Sequence, residues 1–164
     1  MERIEIPILI VGAGPTGMMM ALLLRRMGID AILVERRPGP QRAPAAHVVN
    51  ARTFEICRQA GVDMAAIAAA SKPPVDAGAT LWVTRLGGEV LGRLPFERQE
   101  DDVLALTPTP LRNLAQHRFE AIVLEALLES GAGAPRYGHR WLSAADDGEG
   151  VTSVVQRPDG GTYE

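Results

Sequence analysis

Ile8-Leu9-Ile10-Val11-Gly12-Ala13-Gly14-Pro15-Thr16-Gly17-Met18-Met19-Met20 is the stretch that decides the fold. Its first four residues are an uninterrupted apolar run, the pattern of a parallel strand covered on both faces. Pro7 is compatible with a position just ahead of that strand. Gly12 to Gly17 then fits G-x-G-x-x-G, and the apolar residues from Met18 to Met27 read as a helix that ends near Gly28. Each glycine has a separate task. Gly12 permits the tight turn, Gly14 lets a pyrophosphate approach the backbone, and Gly17 lets helix and strand pack closely. The helix start adds unpaired N–H groups and a partial positive charge for phosphates.

Working outward, Ala31-Ile32-Leu33-Val34 is a second apolar strand, so strand, helix and strand form a βαβ unit with a right-handed crossover. Glu35 closes that second strand, 18 residues after Gly17. A carboxylate there can accept hydrogen bonds from the ribose hydroxyls of an adenine dinucleotide. Ala13, Pro15 and Thr16 belong to the same loop and are included in the expected site. Glu35 would repel a 2′-phosphate, whereas Arg36 and Arg37 suit phosphates or an adenine. The pattern therefore leaves FAD and NAD(P) both open.

The apolar segment from Ile6 to Leu24 is not read as a membrane span or a signal peptide, because three glycines and a proline interrupt it and no cleavage pattern follows. With 164 residues, 46% hydrophobic and 23% charged, the chain has the composition of an ordinary globular domain. Its net charge of −3 comes without a block of one sign, and aromatic residues make up only 4%. Those features argue against nucleic-acid and membrane partners. The single cysteine, Cys57, forbids an intrachain disulfide, fits a cytoplasmic location and reads as a packed small hydrophobe. His117 and His139 lack metal-ligand partners at recognisable spacing and read as surface or capping residues. No metal site is expected.

Beyond the βαβ unit, Arg36 to His47 reads as an ordered loop. A helix is expected from about Asn50 to Gly61, extended by Ala65 to Ala70 and stopped by Pro73-Pro74. Arg52 is expected to pair with a carboxylate. Thr80–Leu86 and Glu89–Leu94 form a hairpin about Gly87-Gly88, and residues 97 to 102 read as polar and exposed. A helix over about Leu114 to Leu128 should bury Phe119, Ile122, Val123, Ala126 and Leu127, with Gly131 as its stop. Trp141-Leu142 and Val151–Val155 flank the turn Asp146-Asp147-Gly148, and a further strand starts at Thr162-Tyr163-Glu164. A strand that short implies a truncated chain.

Gly12 to Gly17 with Glu35-Arg36, the block Arg42-Ala43-Pro44, the block Asn50-Ala51-Arg52-Thr53-Phe54-Glu55-Ile56 with Gly61-Val62, and Asn113-Leu114-Ala115-Gln116-His117-Arg118-Phe119-Glu120 together resemble the FAD-dependent aromatic hydroxylases, in particular their phenol and polyketide branch. The resemblance spans most of the chain. It implies FAD as the cofactor, NAD(P)H as a transient reductant, and oxygen with a small phenolic or polyketide ring as partners. Arg36 would serve the flavin's adenine or phosphates, Arg42 its pyrophosphate or ring, and Gln116 the ribityl or phosphate region. His47 is a substrate-side candidate, and no catalytic residue is named. Later Asp-Gly and Gly-Asp segments of such enzymes are missing from these residues, and Asp159-Gly160 is a hairpin turn unrelated to them.

The resulting expectation is an α/β fold: a Rossmann-like, three-layer FAD-binding domain with a mainly parallel sheet and a β-meander, incomplete at its C-terminus. Residues 1–164 are its N-terminal part, with the hairpin 79–94 beginning a substrate-facing region. An isolated fragment of this kind should be inactive. Two other readings stay open: the nucleotide domain of an NAD-dependent oxidoreductase, and a non-catalytic nucleotide-binding module. Oligomeric state is not encoded in any pattern read here.

Overall fold

The computed structural model of the chain describes residues 2–43, 45–96 and 101–164, without the side chains of residues 101 and 102. Pro44 and the exposure expected for residues 97–102 lie outside the described residues. In chain order the elements are β1 (Ile8–Val11), α1 (Pro15–Arg26), β2 (Ala31–Glu35), β3 (Val48–Val49), α2 (Ala51–Gln59), α3 (Met64–Ala70), β4 (Ala79–Val83), β5 (Val90–Pro95), β6 (Arg112–Asn113), α4 (Gln116–Glu129), β7 (Arg136–Tyr137), β8 (Arg140–Asp146), β9 (Val151–Gln156) and β10 (Thr162–Tyr163). Short 3-10 turns cover Pro74–Asp76 and Asp101–Ala105. The chain divides into two compact units, Met1–Ala43 with Glu120–Glu164, and Pro44–Phe119.

The first unit is built on a parallel sheet of order β1-β2-β7, in which Val11 faces Val34 and Glu35 faces Tyr137. α1 starts at Pro15, three residues earlier than its apolar pattern suggests. Pro15 costs nothing there because the first helical N–H has no intrahelical partner. The helix ends as Gly28 predicts: Gly28 has φ +75°, its N–H donates to Arg25 O (3.0 Å), and Ile29 N–H donates to Leu24 O (2.9 Å). That double closure satisfies carbonyls left open by the last turn. A meander of order β10-β9-β8 belongs to the same unit, and Val34, Val155 and Tyr163 form a buried cluster with Ile4, Leu9 and Ile32 packed against it.

One expectation about β1 is corrected. Its apolar run reads as a strand covered on both faces, yet only Ile10 is buried and Val11 is 57% exposed; among the described residues the strand also pairs on one edge only, with β2. A groove of about 950 Å³ runs past it, lined in part by Ile4, Ile6, Ile8, Val155 and Tyr163. An apolar run cannot distinguish a central strand from an edge strand, since sheet order is set by pairing between distant segments.

The second unit contains α2, which ends near Gly61 as expected, and α3, a separate helix over the residues expected to extend the helical region. Gly61, at φ +81°, ends α2 with the same double closure, through Gly61 N–H to Arg58 O and Val62 N–H to Cys57 O. Asp63 then caps α3 by accepting from Ala65 N (2.7 Å) and Ala66 N (3.2 Å). Asn50 caps α2 through Thr53 N (2.8 Å), and Arg52 pairs with Glu55 at 3.0 Å, as expected of it. Glu55 also accepts from Thr107 Oγ1 at 2.8 Å, which anchors the buried Thr107 and, two residues on, the buried Thr109. β3 and β6 form a two-residue antiparallel pair too short to show in a periodicity. β4 and β5 form the expected hairpin, shorter than read, with Gly87 at φ +71° in its turn. α4 begins at Gln116, two residues later than expected, and buries Phe119, Val123 and Leu127.

Cys57 is fully buried, and burial pushes its thiol up to about 11. Thiolate is the reactive form. At pH 8 the folded chain should therefore react with a disulfide reagent at the rate of local opening, and urea should release fast labelling. Fast labelling of the native protein would contradict this packing.

Candidate cofactor-binding site

The loop Gly12–Gly17 joins β1 to α1 and presents main chain where side chains would obstruct. Gly12 adopts φ +104°, a conformation that other residues rarely take, and its N–H donates to Val34 O at 2.8 Å. A Cβ added at Gly12 or Gly14 would meet nothing within 4 Å, so both positions face open space. Gly17 is the opposite case. Its Cβ would fall 2.0 Å from Gly12 O and 3.3 Å from Leu33 Cδ1, which is the close helix-to-strand approach that the third glycine allows. Gly14 is the N-cap of α1 and carries no side chain to satisfy the helix's first donors. The cradle is open, donor-rich and unblocked, so the residues present fit a dinucleotide's pyrophosphate.

Glu35 completes the arrangement. It is 7% exposed, and its Oε2 accepts from Ala13 N–H at 3.0 Å, so the carboxylate points at the glycine loop. Its Oε1 accepts from Arg37 N–H at 2.8 Å and Arg37 Nε at 3.1 Å. Burial by itself would raise the Glu35 pKa. The Arg37 main-chain and side-chain donors, with Ala13 N–H, outweigh it and hold the carboxyl below its usual range. It is an anion at neutral pH.

Two features of this cluster were not legible in the sequence. The arginine that engages Glu35 is Arg37, whereas Arg36, the residue named from the resemblance, is exposed. Alternation along an extended segment explains this: Arg37 lies two residues from Glu35 and shares its side. Arg37 also donates to Gln41 Oε1, and Gln41 N–H donates to Glu120 Oε2 at 3.2 Å. Glu120 is 1% exposed, a buried carboxylate beside Phe119 in a helix whose periodicity marks only apolar residues for burial. Tyr137 is the second missed feature, placed opposite Glu35 by β7, a strand of two residues.

The remaining named residues divide between the two units. Arg42 is exposed in the first. In the second, His47 and Gln116 are brought together by main-chain bonds, Leu114 N–H to His47 O and Gln116 N–H to Ala46 O, each 2.7 Å. The His47 side chain is exposed. Two histidine expectations need correction. His139 Nδ1 lies 3.1 Å from the buried Tyr163 hydroxyl, and His117 Nδ1 is buried without a hydrogen-bond partner, so neither is a plain surface residue. No helix among the described residues is long and apolar enough to cross a membrane.

Comparison with known proteins agrees with this geometry. The chain is 33% identical over 158 residues to 2,4-dichlorophenol 6-monooxygenase of Delftia acidovorans, covering 93% of this chain and 26% of that protein. It is 36% identical to aklavinone 12-hydroxylase RdmE of Streptomyces purpurascens, over 95% of this chain and 30% of the other. The crystal structure of the flavin-dependent monooxygenase PieE in complex with FAD and substrate superposes with a TM-score of 0.87 at 33% identity, covering 98% of this chain and 28% of that one. The chain thus spans under a third of the length of these relatives. Residues 5–164 match the family described as FAD binding domain, and with the open glycine cradle and the inward-facing Glu35 in place, the chain belongs to that FAD-binding family, whose relatives here are flavin-dependent aromatic hydroxylases.

Proposed function

We propose that residues 1–164 are the N-terminal part of the FAD-binding domain of a cytoplasmic monooxygenase that hydroxylates a phenolic or polyketide aromatic ring with NAD(P)H and oxygen. The fold in this reading is Rossmann-like and three-layered, and the hairpin 79–94 begins the substrate-facing region. The observation that carries it is the unobstructed Gly12–Gly17 turn with Glu35 aimed at it.

FAD, when bound, supplies electron transfer from NAD(P)H and the activation of oxygen. The chain's own residues bind and orient it. The amides at the start of α1 meet the pyrophosphate, and Glu35 accepts from the adenosine ribose. Arg42 would serve the pyrophosphate or the flavin ring, Gln116 the ribityl or phosphate region, and Arg36 the adenine or phosphates. His47 faces the substrate side. Trp82 and Leu94 are about half exposed on one face of the hairpin, which supports an apolar surface suited to an aromatic ring or to further chain. The open edge of β1 supports a wider sheet in the whole protein.

The whole protein should be yellow when purified, with flavin absorbance released on denaturation. The isolated chain should bind FAD weakly and show no NADPH-dependent phenol hydroxylation. Glu35→Gln should weaken FAD binding by at least about tenfold, as expected for loss of charged hydrogen bonds. A colourless whole protein, or full FAD affinity in the Glu35 variant, would overturn the reading.

A further inference from the structure

Glu35 has about four lone-pair directions, two on each oxygen. Two are filled by main chain: Ala13 N–H on Oε2 at 3.0 Å and Arg37 N–H on Oε1 at 2.8 Å. The other two face the Arg37 guanidinium, with Nε 3.1 Å from Oε1 and Nη2 3.5 Å from Oε2. A ribose presents a vicinal diol, two donors side by side, and needs one acceptor direction on each oxygen. Those are the directions that the arginine side chain covers.

We propose that the Arg37 side chain is a stand-in for the adenosine ribose: it occupies the diol's acceptors on Glu35 when no nucleotide is bound and leaves them as the sugar arrives. This rests on the reading that a dinucleotide's ribose lies at Glu35. The exchange is feasible on three counts. The Ala13 and Arg37 main-chain bonds persist after the guanidinium moves, so the carboxylate stays oriented. The Arg37 side chain is 36% exposed and its guanidinium already bonds Gln41 on its other side, so it has somewhere to go. The pair is exposed on the arginine side only, since the Glu35 side chain is 8% exposed, and its release is offset by the diol bonds made to the same two oxygens.

A third group points to an incomplete site. The Tyr137 hydroxyl is buried, has no hydrogen-bond partner, and shares the electrostatic field of Glu35, Arg37 and Glu120. Burial first, and the two carboxylates after it, raise its pKa, so the phenol stays a donor without an acceptor. Ribose oxygens arriving beside Glu35 would provide one. A buried donor left bare is uncommon enough to need such an explanation.

The test isolates the diol from every other contribution. Calorimetry on the 1–164 chain would compare ADP with its 2′,3′-dideoxy analogue in the native sequence, Arg37→Met and Glu35→Gln. Dividing one affinity by the other cancels the loss of a positive charge near the diphosphate. The preference for ADP should be about two- to fivefold larger in Arg37→Met than in the native chain, corresponding to release of a pair exposed on its arginine side. In Glu35→Gln it should fall close to one. An equal or smaller preference in Arg37→Met, with Glu35→Gln still near one, overturns the exchange and leaves the ribose reading standing. No diol preference in the native chain, or one unaffected by Glu35→Gln, overturns the reading and the exchange together. A second measurement needs no folded variant: the arginine Nε–H resonance of Arg37 should move on saturation with ADP and stay in place with the dideoxy analogue. A resonance that ignores both nucleotides, or responds equally to both, overturns the exchange.

Discussion

Gly17→Ala is expected to unfold the first unit more readily than any other single methyl group added to the glycine loop. The new Cβ would sit 2.0 Å from Gly12 O and 3.2 Å from Gly12 C, so the obstacle is main chain and cannot rotate away. Either α1 moves off β1 or the turn opens. Overpacking of this kind costs about 1–3 kcal/mol and sometimes more, and a backbone collision belongs at the upper end, about 3 kcal/mol. Urea denaturation should show a midpoint well below that of the native chain with a similar slope. Gly14→Ala is the control. Its Cβ meets nothing within 4 Å and its φ of −79° suits any residue, so stability should fall by less than about 1 kcal/mol. Its FAD affinity should nevertheless drop, because the methyl group stands where the pyrophosphate approaches. If Gly17→Ala unfolded at the native midpoint, the close approach of helix and strand would be wrong.

Phe54→Ala should have a comparable or larger effect on the second unit. Phe54 is 1% exposed and meets the Phe119 ring edge to face, with centroids 6.1 Å apart and planes at 88°. Truncating a buried phenylalanine costs about 3–5 kcal/mol through lost transfer energy and the cavity left behind, and the aromatic contact adds to that. Domain stabilities of about 5–15 kcal/mol leave little margin for such a loss. Amide exchange should accelerate across α2 and the first turn of α4. Native protection of those amides in the variant would show that the two rings do not hold this unit together.

How much could be read in advance follows from the range over which each signal acts. The glycine loop, the helix stop at Gly28, the hairpin about Gly87-Gly88 and the buried stripe of α4 are local patterns. Each places its own chemistry within a few residues, and each was found where the residues put it. Glu35 was also legible, because a carboxylate closing the second strand of a βαβ unit has only one place to be. Gly61 and Asp63 are a stop and a start side by side, so the break between the two helices is written in adjacent residues.

The sequence by itself therefore determined the βαβ unit, its glycine turn and the carboxylate that faces it, since strand, turn and helix are each specified by neighbours along the chain. Only the tertiary structure decided that β1 pairs on one side alone among the described residues, and that Tyr137 and Glu120 belong to the same cluster as Glu35. The reason is physical: those choices depend on pairing across some hundred residues of chain, through a β7 of only two residues. Nothing in a periodicity of two or of 3.6 records which distant segment will supply the partner.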